Sequence, residues 1–528
     1  MARVRVEFQP VGRRAEAETT ASLLEAAQGV GVDMVATCGG VGTCGSCRVR
    51  IVSGQASPPG ELEELELGAT GIAAGWRLAC QAHPRSDLRL DLPADSLLGA
   101  QRLQVEGSGE MPPLDPPVPA TETAPFGVAV DIGTTKLAVF LVDLRSGTTV
   151  ASLGVTNPQI AFGEDVISRL AWAASTEGGA RRLQREAGGA IAAAIGTLAA
   201  KVGIGPEQVG SLVIVGNTVM HHLLAGLPTA GLGAAPFAPA WAGPLERDAA
   251  QLELPAAPGA PVYFAPCIAG FVGGDHVAML LAAGALASDR VVLALDIGTN
   301  TEISVCQPER IVSCSCPSGP AFEGAHLTHG MRAAPGAIEA VRLDEGRVTV
   351  RTVDGMPARG ICGSGILDAV AEMRQAGVID ARGNLRRDHP LLTEGELVLA
   401  PAAAGRPPIA VHRRDVLEIQ LAKAAIQSGI ESLLSYAGLE PAQLDEVVIA
   451  GAFGTWLDVR SAVRVGLLPR LPRERFRQVG NAAGIGARQL LLSRASRQQG
   501  ERLAATAEYL ELATGSDYSA RYLKALWL

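Results

Sequence analysis

Two stretches lying 165 residues apart share one local pattern, and no other feature of the chain constrains its fold as strongly. The first runs Val128-Ala129-Val130-Asp131-Ile132-Gly133-Thr134-Thr135-Lys136-Leu137-Ala138-Val139. The second runs Val292-Leu293-Ala294-Leu295-Asp296-Ile297-Gly298-Thr299-Asn300-Thr301-Glu302-Ile303. Each is an apolar strand, then Asp-Ile-Gly-Thr, then another apolar strand, which predicts a hairpin tipped by an acid, a glycine and hydroxyls. Glycine permits a tight turn and close backbone approach, and backbone N–H groups and threonine hydroxyls can donate to phosphate oxygens. An aspartate beside phosphate needs a cation between them, so Mg2+ is implied. One such turn would be ordinary loop chemistry. Two in equivalent settings point to a duplicated phosphate-binding device.

The duplication continues downstream. Ser211-Leu212-Val213-Ile214-Val215-Gly216 follows the first turn, and Glu446-Val447-Val448-Ile449-Ala450-Gly451-Ala452-Phe453-Gly454 follows the second. Each contains a buried-type strand ending at glycine. Asp131 precedes its glycine by 85 residues and Asp296 by 155, so the second half carries about 70 more. The expected architecture is two homologous α/β lobes with a cleft between them. Gly360-Ile361-Cys362-Gly363-Ser364-Gly365 precedes an amphipathic run from Ile366 to Gln375, and glycines at a helix start suit an anion. Ser318-Gly319-Pro320 lies in a similar loop. Either could be a plain cap or turn, but beside the paired Asp-Ile-Gly-Thr turns they favour a nucleotide cleft.

The first 80 residues hold four of the nine cysteines. Cys38, Cys44 and Cys47 have the spacing C-x5-C-x2-C within Cys38-Gly39-Gly40-Val41-Gly42-Thr43-Cys44-Gly45-Ser46-Cys47, and Cys80 follows in Leu78-Ala79-Cys80. A [2Fe-2S] cluster needs four thiolates, two per iron. A loop wrapped that closely needs residues without bulk, often with positive φ. Gly39, Gly40, Gly42 and Gly45 supply them. Zinc loops usually pair C-x2-C with a second such pair or with histidines, and His83 is the one histidine nearby. Val4, Val6 and Phe8 alternate as on a strand, Ser22 to Val32 reads as a helix, and Arg48–Val52 and Leu88–Leu92 read as strands. Together these predict a small β-grasp sheet. The loop resembles ferredoxins of the adrenodoxin and putidaredoxin kind, one residue longer than the plant-type C-x4-C-x2-C spacing.

Residues 107–125 are rich in proline and lack apolar periodicity. At about 3.1 Å per residue in an extended proline helix, such a spacer could reach roughly 50 Å. It reads either as a plain spacer or as a tether along which the cluster domain swings. The expected divisions are a ferredoxin-like domain at 1–95, a linker at 96–125, and ATPase lobes at 126–290 and 291–528.

The formal charge of -9 argues against nucleic acid and offers no polybasic membrane anchor. The alternating start Arg3-Val4-Arg5-Val6-Glu7-Phe8 reads as a strand and not as a secretory signal, and the Ala-rich run from Gly188 to Ala200 is too short to span a bilayer. A cytoplasmic location is expected. Cys314 and Cys316 form C-x-C without further ligands nearby in sequence. They are read, with Cys267, Cys306 and Cys362, as small buried hydrophobes. His221 and His222 are read as packing or loop residues.

Residues 126–495 resemble the actin, sugar kinase and Hsp70 superfamily of ATPases, whose members carry a phosphate loop in each lobe and an adenosine loop late in the chain; Gly451-Ala452-Phe453-Gly454 is similar to the last. A ferredoxin domain fused to such an ATPase resembles the ATP-dependent reductive activators of corrinoid proteins. Further stretches resemble that family. They are Asn157-Pro158-Gln159, Gly163-Glu164-Asp165-Val166-Ile167-Ser168-Arg169, Gly216-Asn217-Thr218-Val219-Met220-His221, Phe271-Val272-Gly273-Gly274-Asp275, Ser318-Gly319-Pro320-Ala321-Phe322-Glu323-Gly324 and Ile419-Gln420-Leu421-Ala422-Lys423-Ala424-Ala425-Ile426. Some members carry a longer segment between linker and ATPase, which bears on any homodimer carried over from them. Others use a C-terminal ferredoxin with two [4Fe-4S] clusters, which this chain lacks.

The resemblance implies ATP-dependent return of an inactive Co(II) corrinoid protein, or cobalamin-dependent methyltransferase, to Co(I) by one electron from the [2Fe-2S] cluster. A separate protein would donate that electron. A plant-type centre lies near about -400 mV and Co(II)/Co(I) lower. Each ~100 mV of shortfall is about 2.3 kcal/mol, a gap ATP binding or hydrolysis could offset. The roles implied are cluster ligation by Cys38, Cys44, Cys47 and Cys80, and orientation of Mg2+ or the attacking water by Asp131 and Asp296. Gly133, Thr134, Thr135, Gly298, Thr299 and Asn300 would cradle phosphates, with Gly363, Ser364 and Gly365 also at the nucleotide, and Gly451 and Gly454 would line adenosine. Competing readings are a small-molecule kinase carrying a redox sensor and an ATP-gated binding module that senses redox state. An activator of radical dehydratases would hold its cluster inside the ATPase, which the N-terminal cysteine loop opposes.

Overall fold

A computed structural model describes residues 3–30, 32, 34, 42, 45, 47–93, 96, 109–163, 165–285, 289–324, 326–344, 346–402, 408–451, 453–512 and 517–528. The chain divides into two compact units. One comprises Met1–Arg102, Ile160–Phe162 and Pro320–Ile419; the other comprises Leu103–Gln159, Gly163–Gly319 and Gln420–Leu528.

The N-terminal part of the first unit is the expected β-grasp. Its strands are β1 (Arg3–Gln9), β2 (Arg13–Glu18), β3 (Arg48–Ser53), β4 (Trp76–Leu78) and β5 (Leu88–Asp91), in the order β2-β1-β5-β3-β4. Helix α1 (Leu23–Gly29) starts at a capping box in which the Ser22 hydroxyl accepts from the Glu25 N–H while the Glu25 carboxylate accepts from the Ser22 N–H. Val6, Phe8, Leu23, Leu78 and Leu90 fill the core. Helix α2 (Glu61–Ala73) is tied to β4 by a buried Arg77–Glu63 ion pair of 2.7 Å.

In the second unit, strands β6 (Phe126–Ile132), β7 (Lys136–Asp143) and β8 (Thr149–Thr156) form a meander. Helices α3 (Val166–Ser175) and α4 (Gly179–Val202) lead to β9 (Val209–Gly216), which pairs parallel to β6. After α5 (Thr218–Ala225) come β10 (Leu245–Asp248), β11 (Pro261–Phe264) and α6 (Gly274–Ala282). The sheet order is β10-β11-β9-β6-β7-β8.

The plan then repeats with β12 (Val292–Ile297), β13 (Thr301–Gln307) and β14 (Arg310–Cys316). Before it resumes, the chain builds β15 (Ala337–Asp344), β16 (Arg347–Thr352), β17 (Gly360–Ile361), α7 (Gly363–Gln375), β18 (Leu397–Ala400) and β19 (Ile409–Val411) in the first unit. Helix α8 (Arg413–Ala437) leads back to β20 (Glu446–Ala450), α9 (Val459–Val465), β21 (Phe476–Gly480), α10 (Ala482–Leu492), α11 (Arg494–Thr506), β22 (Glu508–Tyr509) and α12 (Tyr518–Ala525). The second sheet runs β21-β20-β12-β13-β14-β22. In both sheets an apolar hairpin meander is flanked by two parallel strands, so the repeated sequence pattern is a repeated topology. The surplus length of the second half is the segment Pro320–Ile419, which makes a unit with the β-grasp instead of extending the second lobe.

The helices that close each repeat, α6 and α10, cross at very close range. A Cβ on Gly486 would stand 2.0 Å from the Ala278 carbonyl oxygen, so only glycine fits there. Buried Ala278, Leu281, Ala487 and Leu490 continue that contact.

The proline-rich segment is not a free spacer where it is described. The Asp115 N–H donates to the Leu492 carbonyl (2.9 Å), its carbonyl accepts from the Arg494 N–H (3.0 Å), and Gln489 Nε2 donates to the Glu110 carbonyl (2.7 Å). A Cβ on Gly109 would already touch Ile485 at 3.1 Å. The expectation of a roughly 50 Å reach is corrected accordingly: Glu110 and Asp115 are held on the second unit's surface because their backbone groups find partners on α10 and α11.

Candidate functional site

The two Asp-Ile-Gly-Thr turns meet. Thr135 Oγ1 lies 3.3 Å from Thr299 Oγ1, although the residues are 164 apart. In the first turn the glycine is required by close approach, and in the second it relieves a tight one. A Cβ on Gly133 would sit 2.8 Å from the Lys136 carbonyl oxygen, and one on Gly298 3.2 Å from that of Asn300. The Gly133 and Gly298 N–H groups donate across their own hairpins, to Lys136 and Asn300. These two N–H groups therefore shape the turn.

The first turn has a polar brace. Asn157 Nδ2 donates to the Gly133 carbonyl (2.9 Å) and Asn217 Nδ2 to Thr134 Oγ1 (3.1 Å). Arg169, fully buried, donates to the carbonyls of Thr134 and Gly163 and to Gln159 Oε1. Stretches that sequence comparison could only match to a family, Asn157–Gln159, Gly163–Arg169 and Gly216–His221, thus share one physical task. His222 extends the brace. Its Nε2 accepts from the Ala240 N–H (3.1 Å), so its Nδ1 carries the hydrogen that faces the Thr218 carbonyl at 2.8 Å. Burial pushes His221 down to about 3, and both rings pack as neutral groups.

The second turn is held differently. Thr301 Oγ1 and Ser318 Oγ are 2.8 Å apart, and Ser318 Oγ approaches the Thr299 carbonyl at 3.4 Å. Gly451, at φ +90°, lies where a Cβ would meet Asp296 Oδ1 at 2.7 Å. It therefore sits on the acid of the phosphate turn. Gly454 packs over the Ala450 carbonyl, and its own carbonyl accepts from Gln478 Nε2 (2.6 Å).

Two further carboxylates join Asp131 and Asp296. Burial, then the charge of Asp296, raises Asp131 to about 7, against a hydrogen bond from Asn481 at the start of α10. Burial raises Asp296 to about 6. Asp275, in the first turn of α6, is pushed well up by burial and by Asp296 and Asp131. Glu302 is pushed well up by burial and then by Asp275 and Asp296. Neither Asp275 nor Glu302 was singled out from sequence. The Gly-Gly-Asp run before an apolar helix was visible, but its approach to two turns far along the chain was not.

This donor set suits a hard cation. Four neighbouring carboxylates, Glu302 buried and Asp131, Asp275 and Asp296 half-buried, would ionise together only with compensating positive charge. Among the described residues no three acidic, thiol or imidazole groups cage a metal by themselves. Mg2+ does not need such a cage, since it keeps several waters and binds through one or two carboxylates plus substrate phosphates.

Gly363, Ser364 and Gly365 stand in the first unit at the start of α7. A Cβ on Gly363 would meet the Phe322 carbonyl at 1.7 Å and one on Gly365 that of Ile338 at 2.1 Å. Ser364 Oγ donates to the Glu339 carbonyl (2.9 Å). Close packing alone accounts for these three residue types.

Of the cluster ligands, Cys38 and Cys44 lie outside the described residues, as do Gly39 and Gly40. Cys47 and Cys80 are brought together with Sγ atoms 3.4 Å apart. That is far beyond a disulfide bond of about 2.05 Å and near the sulfur–sulfur edge of a tetrahedral thiolate site. Gly42 and Gly45 have φ of +93° and +60°, and Gln81 Nε2 donates to Cys80 Sγ (3.5 Å). The residues present fit one iron's share of a [2Fe-2S] cluster. Cys314 and Cys316 are buried beneath α8, where a Cβ on Gly429 would stand 2.2 Å from Cys316 Sγ. Among the described residues no helix is long and apolar enough to cross a membrane.

Comparison with known proteins agrees with these observations. Residues 6–85 match the 2Fe-2S iron-sulfur cluster binding domain, 126–287 the RACo middle region, and 290–528 the C-terminal domain of RACo, the ASKHA domain. The chain is 35% identical over 442 residues to the corrinoid activation enzyme RamQ of Eubacterium limosum, covering 81% of this chain and 74% of that protein. It is 26% identical over 438 residues to the [Co(II) methylated amine-specific corrinoid protein] reductase of Methanosarcina barkeri, covering 75% and 76%. A solved structure of a reductive activator for corrinoid, iron-sulfur protein superposes with a TM-score of 0.71 at 31% identity, over 99% of this chain and 98% of that one.

Proposed function

Because the chain belongs to the family of reductive activators of corrinoid proteins, we propose a division of labour among its residues in the ATP-dependent return of Co(II) to Co(I) on a corrinoid protein. The observation that carries it is the meeting of the two acid-bearing turns at Thr135 and Thr299, in a chain that also pairs Cys47 with Cys80. The [2Fe-2S] cluster supplies a one-electron carrier. Cys38, Cys44, Cys47 and Cys80 would hold it, and Cys47 and Cys80 are the two whose Sγ atoms stand together.

Thr134, Thr135, Thr299 and Asn300 orient the phosphates through side-chain and backbone donors, while Gly133 and Gly298 let the backbone come close. Asp296, raised by burial, holds Mg2+ directly or through water. Asp131, raised to about 7, orients and deprotonates the attacking water, since a base works best with a pKa near the ambient pH. Asp275 and Glu302 set the local charge that ATP-bound Mg2+ relieves. Gly451 and Gly454 shape the wall beside Asp296, toward the adenosine. The start of α7 at Gly363, Ser364 and Gly365 offers a helix end suited to an anion. A separate protein donates the electron, a homodimer is compatible with the family, and the setting is cytoplasmic.

The test mixes reduced, cluster-loaded protein with a Co(II) corrinoid protein and follows the cobalt spectrum with and without Mg-ATP. Co(I) formation that depends on ATP is expected. Its absence across methyl-carrier and methyltransferase corrinoid proteins would overturn the reading.

A further inference from the structure

The β-grasp and the segment Pro320–Ile419 belong to one compact unit, and the Arg13 side chain reaches from the first to the second. Arg13, the first residue of β2, donates from Nη1 to the Thr328 carbonyl at 3.3 Å. Burial pushes its guanidinium down to about 10, which an arginine standing in open water would not show. Thr328 is itself fixed. Its N–H and Oγ1 both donate to Asp415 Oδ1, at 2.7 and 3.0 Å. Asp415 Oδ2 accepts from the His412 N–H (2.9 Å), and His412 Nε2 lies 2.9 Å from Glu396. The acceptor for Arg13 is therefore a braced loop with two carboxylates behind it. The charge that reaches it is complementary.

The topology says which end of the β-grasp is held. Strand β1 ends at Gln9, level with Asp91 at the end of the parallel β5. Asp91 in turn pairs with Arg50 near the start of β3, and Arg48 pairs with Leu78 at the end of β4. The turn before Arg13, Cys47 before β3 and Cys80 after β4 thus share one end of the sheet. With β1, β5 and β3 following β2 at about 4.8 Å per strand, Arg13 stands roughly 15 Å across the sheet from Cys47. The held end is the end from which an electron must leave.

We propose that the loop around Thr328, backed by Asp415, is a docking surface for the chain's own ferredoxin domain, and that a protein-sized electron acceptor reaches the cluster only when Arg13 lets go. The docked arrangement keeps Cys47 within about 15 Å of the held edge by the strand spacing, so a bulky acceptor approaching the cluster competes for space with the 320–419 segment. A small oxidant does not.

The experiment uses full-length, cluster-loaded protein, reduced and then mixed with either cytochrome c or ferricyanide. Arg13→Ala is expected to be oxidised by cytochrome c about fivefold faster than the wild type, the effect of losing one hydrogen bond from a closed state. Ferricyanide is expected to oxidise both equally. Arg14→Ala removes the same charge from a neighbour that pairs with Glu7 at 3.0 Å, and is expected to match the wild type. Equal cytochrome c rates for Arg13→Ala and wild type would overturn the proposal. So would equal acceleration by both oxidants, or by Arg14→Ala as much as by Arg13→Ala. Should Arg13→Ala lose its cluster absorption, Arg13→Gln, too short to reach Thr328, is judged by the same criteria.

Discussion

The two phosphate turns share a backbone and differ in what holds them. Behind the first stands a charged, buried brace, with Arg169 reaching the carbonyls of Thr134 and Gly163. Behind the second stand two hydroxyls, Thr301 and Ser318, and a glycine pressed on the acid. The acids differ too. Burial raises both, and Asp131 alone also has Asn481 donating to it, against the charge of Asp296. Duplication preserved the hairpin, and the proposed reading divides its two acids between proton transfer and holding a cation.

The largest effect that could break this contrast is on turnover. Asp131→Asn should lower ATP hydrolysis by about 10²–10⁴-fold while leaving Mg-nucleotide binding largely intact. Asp296→Asn should instead weaken Mg2+ dependence first, visible as a higher Mg2+ concentration at half-maximal rate. Identical behaviour of the two variants in steady-state assays and Mg2+ titrations would erase the distinction.

A smaller effect concerns pH. Asp131 is raised from 3.8 to about 7 on folding. A carboxyl shifted upward contributes stability that is complete below its unfolded pKa and lost as pH rises through the folded one. Ligand-free Asp131→Asn should therefore match the wild type near pH 4. It should exceed it near pH 8 by on the order of 2–4 kcal/mol, read from denaturant midpoints. A gain that shrinks as pH rises would contradict the burial argument.

The braces themselves should differ least but clearly. Arg169→Met strands several buried acceptors and should cost about 3 kcal/mol, whereas Ser318→Ala should cost about 1 kcal/mol. Thermal unfolding of both variants measures the ratio.

Much of this was legible in the chain because it is local. The Asp-Ile-Gly-Thr hairpins, the cysteine spacing and the Ser22 cap each depend on neighbours a few residues away. Arg169, Asp275, Glu302 and Asn481 escaped notice because each acts across a long sequence gap, and nothing in Arg or Asp alone announces burial. The proline-rich segment misled for a related reason. Its composition describes what it cannot form, namely a helix or a strand interior. The Asp115 contacts to Leu492 and Arg494 depend on backbone groups that every residue carries.

The crossing of α6 and α10 gives the second unit a mechanical axle. With Gly486 against the Ala278 carbonyl, two backbones touch, and Leu281 and Leu490 pack beside that point as the bearing's lining. A few degrees of rotation there would be magnified by leverage at the turn tips, where Thr135 and Thr299 stand in contact. A bulky side chain at 486 would act as a wedge driven into the bearing, altering the swing of the jaws without touching the nucleotide.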